Sequence, residues 1–374
     1  MAKRVVVGMS GGVDSSVAAL LLKNRGFEVE GLSLLMFETR GGGQQDPRSC
    51  CSLESVADAA RTARIIGIPH RVIDCRDIFI GKVIEPFALA YSNGLTPNPC
   101  ILCNRHVKIP LLLEAANERG AEFIATGHYA RMRQHGEGPE LMSALDEKKD
   151  QSYVLYAQKK EELQRLLLPL GDLGKQDVRK LAGEAGLPVF NRPESQEICF
   201  VQGKDYLGMV RALVPGSLAE GPILDGDGKQ IGAHSGISGY TIGQRKGLGG
   251  NRRKPGGRDP NPLYVYRIDA SRNAIYAGPK EKAFVKTIEA EGVNWLLPGH
   301  REMQEFEAGV KVRSMMRPAR ARVYPLGANE NARIEFQGPQ WAPAPGQSAV
   351  FYDGRSVIGG GVIKPWQSDE KGVS

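Results

Sequence analysis

The chain lacks long apolar runs: none of its 374 residues fall in a stretch approaching the roughly 18 apolar residues of a membrane-spanning helix. The segment Met1–Gly8 carries two charges, and its apolar run is too short for a signal peptide. We therefore expect a cytoplasmic protein without a membrane anchor.

Cysteine is also scarce. Six cysteines in 374 residues are too few for a disulfide scaffold, whereas a hydrophobic content of 41% suffices for two or three packed domains. In a reducing compartment such cysteines are candidates for catalysis or metal binding. Cys75, directly after a predicted strand, is better explained as a buried small hydrophobic residue, and Cys50 and Cys51 have no assigned role.

An excess of acidic residues is absent too. The 49 Lys and Arg residues outnumber the 42 Asp and Glu residues, which gives a net charge of +7. This modest basic excess suits a polyanionic partner such as RNA but does not establish one.

Neither of the two commoner nucleotide fingerprints marks the N-terminus, since it has no Gly-Lys-Ser/Thr ending and no Gly-x-Gly-x-x-Gly. It has instead Ser10-Gly11-Gly12-Val13-Asp14-Ser15, between the apolar run that ends Gly8-Met9 and a helical pattern from Ser16. Strand, glycine loop and helix form an anion-binding arrangement, because the glycines admit a ligand close to the backbone and the helix start offers N–H groups. An ordinary strand-to-helix turn is the alternative. The complete hexapeptide favours a site for a pyrophosphate group, although no lysine of this motif would reach the terminal phosphates.

The first two hundred residues alternate strand-like and helix-like segments, which predicts a doubly wound α/β domain with a parallel sheet. The predicted strands are Val5–Met9, Glu28–Leu35, His70–Asp74 and Glu122–Thr126, and the predicted helices are Ser16–Arg25, Leu53–Gly67 and Leu111–Gly120. Ligands of such sheets lie at the carboxyl ends of the strands, where we expect the Ser10–Ser15 loop and Thr126-Gly127-His128.

The pattern changes after about residue 203. A helix is predicted over Asp205–Val214, and Lys246–Pro262 has the composition of a mobile basic loop. Short β-like runs, among them Val310–Arg313, Ala332–Phe336 and Ser348–Tyr352, then recur between turns and predict a small β-barrel. The polar tail Gln367–Ser374 is expected to fray.

A second candidate site lies in Asn98-Pro99-Cys100-Ile101-Leu102-Cys103-Asn104-Arg105. We expect Cys103 near the start of a helix, where the helix dipole and Arg105 would lower the thiol pKa, and Pro110 either kinks that helix or marks its first turn. Cys-x-x-Cys also fits half a zinc site, a redox pair or two packed thiols. Cys199, in Ile198-Cys199-Phe200, could join Cys103 only through folding.

The Ser10–Ser15 loop resembles the PP-loop of ATP pyrophosphatases. With Asn98-Pro99-x-x-x-Cys103, Ala125–Tyr129, Lys149–Tyr153 and Ile198–Phe200 in order, and with Tyr240–Gly249, Pro345-Gly346-Gln347 and Gly359–Gly361 later, nearly the whole chain resembles the tRNA-specific 2-thiouridylases. The resemblance implies a PP-loop domain over 1–203, a small central domain over 204–285 and a C-terminal β-barrel over 286–374.

The resemblance implies ATP- and Mg²⁺-dependent thiolation of the wobble uridine of tRNA, with the anticodon stem-loop of Lys, Glu and Gln acceptors as substrate. Cys199 would carry persulfide sulfur and Cys103 would be the nucleophile, with a transient disulfide between them. The sulfur would come from a cysteine desulfurase or a sulfur-relay protein. The implied ATP-binding residues are Gly8, Met9, Ser10, Gly11, Gly12, Val13, Asp14, Ser15, Leu34 and Gly127; Asn98, Pro99 and Cys100 would face the target base; and His128, Lys149, Asp150, Gln151, Arg313, Ser314 and Gln347 would contact tRNA.

Two positions depart from the family pattern. Many members have aspartate where this chain has Cys100, and tyrosine is expected in place of Ser314. Members with Cys-x-x-Cys resemble sulfur transferases in which three cysteines hold a [4Fe-4S] cluster, and Cys100, Cys103 and Cys199 match that arrangement. The persulfide route and the cluster route therefore both stay open, as do two rival classes: a PP-loop enzyme acting on a small molecule, and an RNA-binding protein with a vestigial nucleotide site.

Overall fold

A computed structural model describes residues 2–37, 53–135, 138–191, 198–201, 205–248, 262–327 and 330–365. Cys50, Cys51, most of the basic segment 246–262 and the tail 367–374 lie outside the described residues. Contacts divide the chain into two compact units, the first formed by 1–84, 99–204 and 353–358 and the second by 85–98, 205–352 and 359–374.

Helices and strands alternate in the first half of the chain and strands dominate the second. The α-helices are α1 Val13–Asn24, α2 Leu53–Ile66, α3 Arg76–Phe79, α4 Glu85–Ser92, α5 Pro99–Cys103, α6 Ile109–Glu118, α7 Lys160–Gln164, α8 Lys175–Glu184 and α9 Tyr206–Leu213. The strands up to residue 167 are β1 Arg4–Gly8, β2 Glu28–Leu35, β3 His70–Asp74, β4 Phe123–Ala125, β5 Ala130–His135, β6 Gly138–Ser143 and β7 Leu166–Leu167. The later strands are β8 Gly221–Leu224, β9 Gln230–His234, β10 Tyr264–Asp269, β11 Ala274–Gly278, β12 Phe284–Trp295, β13 Phe306–Lys311, β14 Ala319–Pro325, β15 Ala332–Trp341, β16 Ser348–Asp353 and β17 Ser356–Ile363.

The first unit is built on a parallel five-stranded sheet with the order β3-β2-β1-β4-β7. Val5 and Val7 of β1 are buried with Val17 and Ala18 of α1, because a strand enclosed on both faces needs apolar side chains on each. The chain winds outward from β1 through β2 and β3 and then returns to β4 on the other side of β1. The predicted doubly wound α/β fold is thereby confirmed, and its switch point lies between β1 and β4.

The second unit contains two β structures. A four-stranded sheet has the order β10-β11-β8-β9, and its core includes Ile223, Val265 and Ile275, each fully buried. Strands β12, β15, β14, β13, β16 and β17 follow one another in a sheet that closes where β12 pairs with β17. The predicted C-terminal β-barrel is confirmed. The boundaries predicted for the three domains stay a prediction.

Helical structure around Cys103 begins earlier than expected. Helix α5 starts at Pro99 and ends at Cys103, a π-helical turn covers Asn104–Lys108, and α6 follows with Pro110 in its first turn. Pro110 has no backbone N–H to donate, which suits an interruption of the regular ladder at this point. Cys103 therefore does not lie at the start of a helix but is the last residue of α5.

Gly11 is required by its surroundings as well as by its backbone. Its φ is +72°, and a Cβ atom there would overlap the Ser55 carbonyl of α2. Gly26, at φ +84°, has the same left-handed backbone but no atom within 4 Å of such a Cβ. A comparison of the two glycines therefore distinguishes the cost of a left-handed backbone from the cost of steric overlap.

We expect Gly11→Ala to lower the free energy of unfolding by about 2 kcal/mol more than Gly26→Ala, because only the first adds overlap to strain. Urea unfolding of both variants and the wild type measures this difference. Equal losses in the two variants would show that the Ser55 backbone moves aside without cost.

Candidate active site

The Ser10–Ser15 loop is held by its own hydroxyl groups. The Ser10 amide donates to Ser15 Oγ at 3.1 Å, and Ser15 Oγ donates to the Gly12 carbonyl at 3.2 Å. Gly12, in extended conformation, precedes the first residue of α1. This geometry presents the positive end of a 12-residue helix at the carboxyl edge of β1, as an anion-binding loop requires.

Gly127, directly beyond β4, packs against that loop from across the switch point. A Cβ atom on Gly127 would lie 2.6 Å from the Ser15 nitrogen and 2.7 Å from the Asp14 carbonyl carbon. Only glycine allows this approach of two backbones. The expectation that Thr126-Gly127-His128 lies at the same sheet edge as the loop is confirmed.

Lys175 supplies the cation that the loop motif lacks. Its Nζ lies 2.7 Å from both Asp14 oxygens, and its side chain is only 11% exposed. Tyr129 donates its hydroxyl to Asp14 Oδ1 at 2.7 Å, and its ring lies 5.6 Å beneath the Lys175 ammonium. A positive charge in the first turn of α8 is unfavourable because it lies at the positive end of the helix dipole. The ion pair with Asp14 compensates for this unfavourable position of Lys175.

Lys175 was missed by the sequence analysis because α8 was not predicted and the contact spans 161 residues. A helix-start signal was nonetheless present, since Gly174 caps α8 and Asp177, at its third position, accepts the Gly174 amide. The absence of lysine from the loop motif was a second signal, because an anion site benefits from a cation supplied elsewhere.

The neighbouring strand β2 supports the loop from its other side. Ser33 Oγ donates to the Met9 carbonyl at 2.7 Å and lies 2.9 Å from His70 Nε2. Burial lowers the pKa of His70 below its usual value. Leu34, predicted to contact ATP, follows Ser33 and is largely buried.

Sulfur-containing side chains lie near the carboxyl ends of β2 and β3. Met36 comes directly after β2, and its Sδ lies 3.9 Å from Cys103 Sγ. Cys75 comes directly after β3, and burial raises the pKa of its thiol to about 12, with a smaller contribution from Cys103. The expectation that Cys75 is a buried small residue is confirmed by its 2% exposure.

A series of aromatic contacts connects the segment that contains Cys199 to the same edge of the parallel sheet. Phe200 packs edge-on against Phe79 of α3 at 5.6 Å between ring centroids, and Phe79 lies 6.3 Å from Phe37. Phe37 follows Met36, the residue that Cys103 contacts. Folding therefore brings the neighbourhoods of Cys103 and Cys199 together across nearly a hundred residues.

The described cysteines differ in access: Cys100 is exposed, Cys199 is half-buried, and Cys103 is 9% exposed. Within the described part of the chain no three His, Cys, Asp or Glu side chains form a group that could hold a metal ion. The [4Fe-4S] arrangement of Cys100, Cys103 and Cys199 stays a prediction.

The residues predicted to contact tRNA fall into two groups. In the first unit, Gln151 accepts the Tyr129 amide at 2.9 Å, Asp150 is buried and accepts the Ser152 amide and hydroxyl, and Lys149 is half-buried. His128, also buried, shares a hydrogen bond with Thr126 through Nδ1 at 2.8 Å. Of these side chains, Gln151 is connected to the Ser10–Ser15 loop through Tyr129, whose hydroxyl donates to Asp14.

The second group lies in the second unit. Arg313 donates to the Ala342 carbonyl at 2.7 Å, Gln347 donates to the Thr96 carbonyl at 2.9 Å, and Ser314 and Asn98 are half-buried. Their contacts with RNA stay a prediction.

The loop, the switch point and the Lys175 ion pair define a nucleotide-binding α/β protein of the PP-loop class. Three family models match the chain: the tRNA methyl transferase HUP domain over residues 3–203, the tRNA methyl transferase PRC-barrel domain over 212–279 and the aminomethyltransferase beta-barrel domain over 285–363. No helix in the described ranges has the length and apolarity to cross a membrane.

Similarity to individual proteins extends over the whole chain. The tRNA-specific 2-thiouridylase MnmA of Clostridium acetobutylicum is 42% identical over 97% of this chain and 100% of its own length. The MnmA proteins of Halothermothrix orenii and Geotalea uraniireducens are each 42% identical, over 96% and 100% of this chain and 99% and 98% of theirs. The chain belongs to the tRNA-specific 2-thiouridylase family.

Burial of His128 generates a pH-dependent contribution to stability. Desolvation, with Lys108 as a further cause, holds the pKa of His128 well below 6.5. Below about pH 6.5, His128 therefore binds a proton in the unfolded chain but stays neutral in the folded chain. The free energy of unfolding therefore falls as the pH falls.

We expect this contribution to cost the wild type about 1.4 kcal/mol of unfolding free energy between pH 7.5 and 5.5, and His128→Gln to lose correspondingly less over that interval. Urea unfolding of both proteins at the two pH values measures the difference. Identical pH dependence in the two proteins would contradict a neutral, buried His128.

Proposed function

We propose that this chain is a tRNA-uridine 2-sulfurtransferase that uses ATP to replace the 2-oxygen of the wobble uridine by sulfur. The observation that carries the proposal is the meeting, at one sheet edge, of an anion-binding loop served by Lys175 and of the Cys103 neighbourhood. Family membership supports the same activity, and a net charge of +7 suits a tRNA substrate.

The loop performs the activation step. Residues Gly8–Ser15, with Leu34 and Gly127, bind ATP, and the start of α1 faces its phosphates. The uracil 2-oxygen attacks the α-phosphorus, pyrophosphate leaves, and the oxygen becomes part of an AMP leaving group. Lys175 moves from Asp14 toward the phosphates as negative charge develops on the pyrophosphate.

Magnesium ion would enter with ATP, neutralising phosphate charge in the same step. The ion would be held by the ATP phosphates together with one or two carboxylates. Asp14 is the carboxylate nearest the loop, and its present partners are Lys175 and Tyr129.

Sulfur transfer uses two of the thiols. The outer sulfur of a persulfide on Cys199 attacks C2, and AMP leaves. The Cys103 thiolate then attacks Cys199 Sγ, which breaks the persulfide S–S bond, releases 2-thiouridine and leaves a Cys103–Cys199 disulfide. A thiol reductant reopens this disulfide, and a cysteine desulfurase or sulfur-relay protein reloads Cys199. Cys75, with a pKa of about 12, stays protonated and takes no part.

Access to the buried base edge requires extrusion of the uridine from the anticodon loop. Asn98, Pro99 and Cys100 face the extruded base, and His128, Lys149 to Gln151, Arg313 and Ser314 contact tRNA. The exposure of Cys100 supports its position beside a substrate, and its thiol cannot be equated with the aspartate of other members.

We propose a persulfide and not an iron-sulfur cluster as the sulfur carrier, because Cys103 and Cys199 suffice for that route without a further cofactor.

Lys175→Met should lower the rate of tRNA-dependent pyrophosphate release about a hundredfold, because a charge that stabilises the leaving group is removed. The matched control is Lys180→Met on the same helix, whose side chain is 75% exposed and pairs with Glu184. Pyrophosphate release at saturating ATP and tRNA, with circular dichroism to verify folding, measures the effect. Equal rates in the two variants would remove Lys175 from the activation step.

Cys103→Ser and Cys199→Ser should each reduce 2-thiouridine to the background, while Cys75→Ser should keep most of the activity. Serine at 75 can retain the contact that the Cys75 thiol makes with the Leu35 carbonyl. Mass spectrometry of nucleosides from tRNA transcripts, incubated with and without ATP, measures the product. Thiolation by Cys199→Ser would contradict the persulfide route, and absence of thiolation by the wild type would favour a small-molecule substrate.

Anaerobic purification separates the two sulfur carriers. We expect no stoichiometric iron or acid-labile sulfide in active protein, and retained activity in Cys100→Ser, because the persulfide route uses only Cys103 and Cys199. Bound iron and sulfide that disappear with the activity in Cys100→Ser would instead establish the cluster.

A further inference from the structure

Three sequence motifs that the chemistry above does not connect meet at Thr96. They are the stretch that begins Thr96-Pro97-Asn98, the segment Tyr240–Gly249 and the tripeptide Pro345-Gly346-Gln347. All of the described contacts between them lie within the second unit.

Each polar group of Thr96 is engaged by one of the other two motifs. The Thr96 amide donates to the Pro345 carbonyl at 2.8 Å, and the Thr96 carbonyl accepts the Gln347 side-chain amide at 2.9 Å. The Thr96 hydroxyl donates to the Thr241 hydroxyl at 3.2 Å. We call Thr96, Thr241, Pro345 and Gln347 the clasp.

Backbone contacts hold the part of the clasp that belongs to the barrel. Gln347 accepts the Ile363 amide at 2.7 Å through its carbonyl, which fixes it to the end of β17. Gly346 has φ +88°, and a Cβ atom there would lie 2.9 Å from the Thr96 nitrogen. The backbone of Thr96 therefore rests directly on Gly346, with no room for a side chain between them.

The segment leading into Thr96 is also anchored. Tyr91, in α4, packs on Tyr206 of α9 at 4.9 Å between ring centroids. Gly94, at φ +70°, lies so close to Ile268 that a Cβ atom would approach its Cγ2 within 2.6 Å. Residues 91–96 are thus held at several points before the chain reaches Asn98.

We propose that the clasp positions Asn98 for the target base, with Gln347 as a positioning residue; this inference rests on the proposed function. Only Pro97 separates Thr96 from Asn98, and proline fixes its own φ near −65°. Pro99 follows Asn98 and further limits the backbone of Asn98. Fixing Thr96 therefore fixes most of the backbone freedom that Asn98 has.

The clasp gives Gln347 a role different from direct contact with tRNA. A direct contact would contribute to tRNA affinity and would not depend on Thr241. A positioning role predicts that Gln347 and Thr241 act together, because both act through Thr96.

Gln347→Ala and Thr241→Val test the clasp against two controls. Thr241→Ser keeps the hydroxyl, and Gln340→Ala removes a glutamine whose side-chain amide donates to the nearby Gly338 carbonyl at 2.7 Å. Hydrogen exchange of the Thr96 amide reports on the clasp without substrate. Single-turnover thiolation at saturating tRNA and the Kd for tRNA report on its consequence.

We expect both clasp variants to speed exchange at Thr96 and to lower the single-turnover rate about five- to tenfold, with the Kd for tRNA unchanged. Their combination should lose less than the product of the two single losses, and both controls should match the wild type.

Unchanged exchange at Thr96, or faster exchange with an unchanged thiolation rate, would overturn the positioning role. A weaker Kd in Gln347→Ala with a silent Thr241→Val would overturn it in favour of direct tRNA contact. A wild type that forms no 2-thiouridine overturns the proposed function itself, whereas an active wild type with unaffected clasp variants overturns only the clasp.

Discussion

The close approach of backbone to backbone around the Ser10–Ser15 loop is the constraint on which the rest of the site depends. A phosphate can be bound by N–H groups only if no side chain stands between them and the ligand. Gly11 lies against Ser55 and Gly127 lies against Ser15, so neighbouring elements hold the loop from two sides. The order of strands places the loop and Gly127 at the switch point between β1 and β4.

A loop of this kind concentrates positive potential, and the chain balances it locally. Asp14 lies within the first turn of α1, where a carboxylate is favoured, and it draws Lys175 and the Tyr129 hydroxyl to itself. The ion pair keeps the Lys175 side chain close to the loop that would bind the phosphates, and Asp14 balances its charge. A P-loop carries its lysine in the motif, whereas here a distant helix delivers it. Both solutions place an ammonium group beside a helix start.

The sequence predicts best what local pattern determines. Strands β2 and β3 begin and end at the predicted residues, because runs such as Val29–Leu35 are largely apolar and bounded by turns or charges. Helix α8 was not predicted, since its mean composition is polar and few of its residues are buried. The earlier start of helical structure at Pro99 was also missed, because proline at a first position can begin a helix as readily as break one. Lys175 and the Thr96 contacts join residues more than a hundred apart, and no local pattern encodes them.

The described thiols differ in burial, and burial affects how readily a thiol ionises. A thiol serves as a nucleophile only as the thiolate, and deep burial without a cation disfavours that form, as the pKa of about 12 at Cys75 shows. Cys103 is nearly as buried as Cys75, so the attack on a persulfide that we propose for it would require that substrate binding uncover it or that the adjacent helix turn move. The π-helical turn Asn104–Lys108 directly after Cys103 is an irregular element of the kind that can change its ladder at modest cost.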